Sequence, residues 1–141
     1  MTNNVISKSI FLGAPRDTVW AFLTDKDKLG EWFHEAEADL ADQQPYCLIK
    51  QADDGTTVKM CWGDVLEMQK PSRLVYTFTI KPLGGAMTTV TWTLHEVHGG
   101  TKLSLTHEGI DKAAGDAAMG LLLALDAGWD KHLADLRSAS A

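Results

Sequence analysis

Cysteine is scarce in this chain: Cys47 and Cys61 are the two in 141 residues, too few for a disulfide framework. No Cys-x-x-Cys pair suits zinc or dithiol chemistry, and both thiols are expected to be reduced. Clustered positive charge is missing as well. The 13 Lys and Arg stand singly and the net charge is −6, which argues against a nucleic-acid partner, since phosphate contacts need grouped cations. Long apolar runs are lacking too; Met119 to Leu125, broken by Gly120, is the longest, far below the about 20 residues that span a bilayer. Met1-Thr2-Asn3-Asn4-Val5-Ile6-Ser7-Lys8 has no basic segment followed by an apolar stretch, so no signal peptide is expected and a cytoplasmic location is. There is no phosphate-binding glycine loop, nucleophile elbow or dinucleotide fingerprint. The five His and two Cys have no metal-ligand spacing, so neither metal nor cofactor is expected.

What is present is an ordinary globular composition, 45% apolar and 23% charged, long enough for one domain over residues 1–141 with its own core. Val5 to Leu12 reads as a strand stopped by Gly13-Ala14-Pro15. Pro15 opens a helix whose buried side is Val19, Trp20, Phe22 and Leu23, and Lys26 to Phe33 predicts a second short helix with Leu29, Trp32 and Phe33. Breakers then recur at Asp42–Pro45, Asp53–Gly55, Lys70–Ser72, Pro82–Gly85 and His98–Gly100. They delimit six strands, near Ala36–Ala41, Tyr46–Ala52, Thr57–Met68, Arg73–Lys81, Met87–Val97 and Thr101–Glu108, and their short connections predict an antiparallel meander. Gly109 to Gly115 leads into a long helix with Ala118, Leu121, Leu122, Leu125, Trp129, Leu133 and Leu136 on one apolar stripe. A curled sheet of this length needs one face covered, and this helix alone is long enough to cover it.

The order of elements and several short motifs together resemble the START-like, helix-grip superfamily (SRPBCC), and within it the branch similar to the C-terminal domain of the activator of the heat-shock-protein-90 ATPase. The motifs are Ala14-Pro15 with Val19-Trp20, Leu29 with Trp32-Phe33, and Gly63-Asp64-Val65-Leu66-Glu67 leading to Pro71 and Arg73-Leu74. Val90 to Leu94, Gly100-Thr101, Leu103 to Gly109, and Gly128-Trp129 with Leu133 and Leu136 complete them. The resemblance implies an α+β fold: a strand, two short helices, a six-stranded antiparallel meander and a long C-terminal helix packed over the curved sheet. One departure is Asp42-Gln43-Gln44-Pro45, where the family commonly has a glycine-containing turn.

His107 shares strand parity with Leu103 and Leu105, which points its imidazole inward. An inward imidazole is either satisfied by core neighbours or is a polar handle for a ligand in an apolar cavity. Glu108 faces the other way and forms no dyad with it. In a regular strand Val58, Met60, Trp62 and Asp64 point inward, and Asp64 then reaches toward His107; a bulge at Gly63 places Val65 inside instead. Gly128 beside Trp129 is expected to let the helix approach the sheet closely. His132 is expected at the surface or in a structural role, and His34, His95 and His98 at ends, turns or the outward face. The aromatics Trp20, Trp32, Trp62, Tyr76, Phe78, Trp92 and Trp129 fall on faces expected to be buried, where they either fill a core or line a pocket.

The leading functional expectation is non-enzymatic binding of a small apolar or aromatic ligand between sheet and helix, with His107, Trp62, Tyr76, Trp92, Met60, Met119, Leu122, Trp32 and Trp129 in contact with it. A chaperone-interaction module is implied by the branch resembled, and an exposed apolar patch on the outer sheet would serve it. A polyketide cyclase- or hydrolase-like enzyme is implied by other branches and would use His107 with Asp64 or Tyr76. Either a monomer or a homodimer fits the sequence.

Overall fold

The computed structural model describes residues 5–141; Met1–Asn4, part of the segment read for a leader, lie outside the described residues. Seven strands form one antiparallel sheet in the order β1-β7-β6-β5-β4-β3-β2. They are β1 (Ile6–Leu12), β2 (Glu35–Ala36), β3 (Pro45–Gln51), β4 (Thr57–Gln69), β5 (Arg73–Phe78), β6 (Thr88–Val97) and β7 (Gly100–Glu108). Helices α1 (Arg16–Thr24) and α2 (Lys26–Leu29) follow β1, a short α3 (Ile110–Ala114) follows β7, and α4 (Ala118–Ala139) packs over the curled sheet. This is the α+β helix-grip architecture. The centre of the sheet obeys its alternation: Val90, Trp92 and Leu94 oppose His107, Leu105 and Leu103, and all six are buried. The other face of the same strands carries Thr91, Thr93, Ser104 and Thr106.

Two boundaries differ most from the sequence reading. Helix α2 ends at Leu29 rather than Phe33, because Trp32 is drawn into the core, where its indole N–H donates to the Phe22 carbonyl at 2.7 Å. Strand β2 holds two residues instead of the expected Ala36–Ala41. The following segment is tied to the α1–α2 junction, with Leu40 N–H on the Thr24 carbonyl at 2.9 Å and the Asp39 carboxylate accepting from Lys26 N–H at 2.8 Å. In the next turn Gln43 adopts φ 59°, the left-handed conformation that glycine takes without strain.

Strand β4 is irregular where regularity mattered most. Leu48 pairs with Cys61 but Ile49 with Lys59, so Met60 is an inserted residue. A second shift on the β5 side sits at Leu66. Beyond Met60 the inward residues are Cys61, Gly63 and Val65, while Asp64 is exposed. Of the two alternatives, the regular strand with Trp62 and Asp64 inward is corrected and the bulged one with Val65 inside is found, the inserted residue being Met60 and not one at Gly63. Gly63 is required for a different reason, since any side chain there would collide with the Thr77 carbonyl.

The stripe on α4 is buried only toward its C-terminal end, at Trp129, Leu133 and Leu136. Leu121, Leu122 and Leu125 are half-buried, and Met119 and Leu123 are exposed. Lys8 of β1 anchors the middle of the helix, its ammonium 2.8 Å from Asp126 and 2.9 Å from Asp130. Burial works against that charge, yet the two carboxylates hold its pKa above the usual lysine value.

Candidate functional site

Strand β7 carries His107 inward, as its parity requires, and the residue is completely buried. Both ring nitrogens are engaged. The Thr88 hydroxyl donates to the Phe78 carbonyl at 2.6 Å, so its oxygen accepts from His107 Nε2–H at 2.7 Å. Nδ1 therefore carries the lone pair and accepts from the Trp129 indole N–H at 3.0 Å. Burial lowers the imidazole pKa to about 4, which keeps it neutral in this tautomer. A chain of hydrogen bonds thus runs from the sheet to α4, and it fixes the Trp129 ring. His107 has no capacity left for a ligand and does not reach a cavity wall. The expected role as a handle is replaced by that of a core tie.

The cavity lies beside this tie, between β4, β5 and the middle of α4, with a volume of about 380 Å³. Val58, Met60 and Cys61 come from β4, Phe78 from β5, Ile80 and Pro82 from the turn after it, and Leu125, Gly128, Trp129 and His132 from α4. Phe33 and His34, delivered by the loop after α2, close one side, and the exposed Lys59 and Lys81 also border it. The rings form a continuous wall: Phe33 lies 5.3 Å from Trp129, 4.6 Å from His132 and 4.7 Å from His34 between centroids. A methyl group on Gly128 would meet no atom within 4 Å, so this glycine does not bring helix and sheet together as expected. It leaves the cavity open.

Of the residues expected at a ligand, the structure brings Met60 and Trp129 to this wall. Trp32 and Trp92 are core residues packed edge to face at 6.0 Å, and Trp92 N–H donates to the Tyr76 hydroxyl at 2.9 Å. Trp62 lines a separate groove with Tyr46, Glu37 and Asp39. Met119 and Leu122 lie at the far end of α4, against Val5 and Ile6. The dyad of His107 with Asp64 is not assembled, because Asp64 is exposed and its backbone N–H is bound to the Thr77 hydroxyl.

Two residues assigned elsewhere by the sequence reading belong to the wall. His132 is held by its Nδ1–H donating to the Trp32 carbonyl at 3.2 Å, and burial lowers its pKa. The His34 pKa falls to about 4, through burial first and then through His132 and Lys50. Cys61 also faces the cavity, but burial, with Cys47 adding to it, pushes its thiol pKa upward, so it stays protonated and unreactive. Among the described residues no cluster of three or more side chains suits a metal ion, and no helix is long and apolar enough to cross a membrane.

The profile of the Activator of Hsp90 ATPase homolog 1-like proteins matches residues 13–141. The chain belongs to that family. Solved structures agree with the assignment of this AHSA1-like chain to the START-like fold. CalU16 from Micromonospora echinospora is 26% identical with a TM-score of 0.72, over 97% of this chain and 74% of that one. CV1439 from Chromobacterium violaceum is 25% identical with a TM-score of 0.73, over 96% of this chain and 95% of its own length. DynU16, from the dynemicin biosynthetic locus, shares the fold at 21% identity and a TM-score of 0.76; the match covers 97% of this chain and 47% of that protein. None of the curated proteins matches the sequence.

Nothing in the local sequence of this AHSA1-like chain marks His34 as a cavity residue, since the loop after α2 is placed by Trp32. His132 was accessible to a finer reading: it follows Trp129 by three positions and so shares its helix face.

Proposed function

We propose that this protein binds a small apolar ligand in the cavity between β4, β5 and α4, without turning it over. The observation that carries the reading is Gly128. A glycine inside a helix costs roughly 0.5–1 kcal/mol relative to alanine, and here no neighbour requires its missing side chain. What its absence preserves is about 380 Å³ of space walled by apolar and aromatic groups, a volume typical of small-molecule sites. Binding is favoured over catalysis because the thiol at the wall is protonated and His132 is held by the Trp32 carbonyl, with no carboxylate hydrogen-bonded to either imidazole among the described residues. A chaperone-binding outer sheet finds less support, since the exposed Phe11 and Leu66 are separated by three strands and the strands between them present mainly Thr and Ser.

The test is to fill the cavity from the helix. Naphthalene titrated calorimetrically is expected to bind the wild-type protein with a dissociation constant below about 1 mM. Gly128→Leu, which places an isobutyl group into open space, is expected to keep the fold and lose that binding. Equal affinity in the variant, or none tighter than about 1 mM in the wild type, would overturn the reading.

A further inference from the structure

Apart from the Cys61 thiol and the two lysines at its border, Lys59 and Lys81, the cavity wall is polar at one place. Where α4 meets the loop after α2, the His34 and His132 rings stand 5.8 Å apart, centroid to centroid. Their hydrogen-bonding state follows from geometry. The Trp32 carbonyl can only accept, so His132 Nδ1 holds the proton and Nε2 carries a lone pair. No described residue donates to that nitrogen, and none bonds the His34 ring. The same two residues, with Phe33 and Met60, also border an adjoining polar groove that includes Glu31, Glu35 and Lys50. The imidazoles therefore mark the boundary between an apolar chamber and a wet one. Lys59 and Lys81 stand at the border of the chamber, and the Lys59 ammonium lies 6.0 Å from the Trp62 ring, so an anionic probe is a necessary comparison.

From this arrangement we infer that the cavity selects flat aromatic molecules bearing a hydroxyl group, and that His132 reads the hydroxyl by accepting its hydrogen at Nε2. This rests on the ligand-binding reading above and sharpens it. The ring wall of Phe33, Phe78 and Trp129 suits an aromatic body, which packs edge to face or offset against such rings. An imidazole lone pair at the end of that wall repels a carboxylate and attracts an O–H. Leaving this acceptor unmatched beside a buried ligand costs more than a neutral contact, which is how one hydroxyl becomes a selection.

Four probes separate the possibilities: naphthalene, 2-naphthol, 2-methoxynaphthalene and 2-naphthoate, titrated at neutral pH. The expected result is that 2-naphthol binds roughly three- to tenfold more tightly than 2-methoxynaphthalene, the worth of one hydrogen bond. In His132→Phe, which keeps a ring against Phe33 and Trp129, that preference is expected to vanish, the ratio of the two affinities falling to about one. An imidazole-labelled sample is expected to show the His132 Nε2 resonance shifting with 2-naphthol and not with the methyl ether. Naphthalene binding with no preference for the hydroxyl would overturn this inference and leave the cavity reading standing. Tightest binding of 2-naphthoate would overturn it in favour of an anion site. Failure of all four probes would remove the cavity reading and this one together. Should His132→Phe not fold, the wild-type comparison of naphthol with its methyl ether still decides.

Discussion

At the scale of single residues, His107 shows how a polar group is used up by its surroundings. Thr88 takes its N–H and the Trp129 indole occupies its lone pair, so the ring contributes by satisfying two buried partners. Replacing it with Gln cannot reproduce both bonds at the same separation, and one buried donor or acceptor is left unpaired. His107→Gln is expected to lower stability by about 1–3 kcal/mol in urea denaturation while leaving naphthalene affinity within about twofold of wild type. A weakened affinity at unchanged stability would place His107 at the ligand after all.

At the scale of elements, α4 divides into two parts with different duties. Its C-terminal half is core: Trp129, Leu133 and Leu136 lie on the sheet, and Trp129 is tied to it through His107. The preceding turns are held by Lys8 to Asp126 and Asp130 and leave Leu121, Leu122 and Leu125 half-buried. Gly128 sits at the junction. Since a methyl group there meets nothing within 4 Å, Gly128→Ala is expected to raise the melting temperature by the equivalent of about 0.5–1 kcal/mol, helix propensity being gained without a clash. A lower melting temperature would mean that helix and sheet approach more closely than the cavity implies.

For the whole molecule, buried histidines couple folding to pH. His107 and His34 both have folded pKa values of about 4, below the 6.5 of an unperturbed imidazole. Between those values the unfolded chain binds protons that the folded chain refuses, so stability rises with pH across this window. It is complete above pH 6.5 and is lost as the pH falls toward 4. For the fully buried His107 the loss is on the order of 3 kcal/mol. Urea midpoints at pH 7.5 and pH 4.5 are expected to differ accordingly, with a smaller difference in His107→Gln. A flat profile would show that these imidazoles protonate without penalty.

Alternation along β7 was enough, from the sequence, to place Leu103, Leu105 and His107 inside, and the short connections were enough to give the antiparallel meander, though not the pairing of β1 with β7. Both are local properties, because each side chain's face follows from its neighbours two positions away. The candidate site was less legible, because its parts are set by bonds between distant segments. The inserted Met60 depends on pairing with β3, and Trp32 leaves its helix for the Phe22 carbonyl. His132 finds the Trp32 carbonyl 100 residues away, and that contact sets the tautomer it shows to the cavity. Periodicity determined which faces are apolar; only the tertiary structure decided where those faces close into core and where, over Gly128, they leave a space.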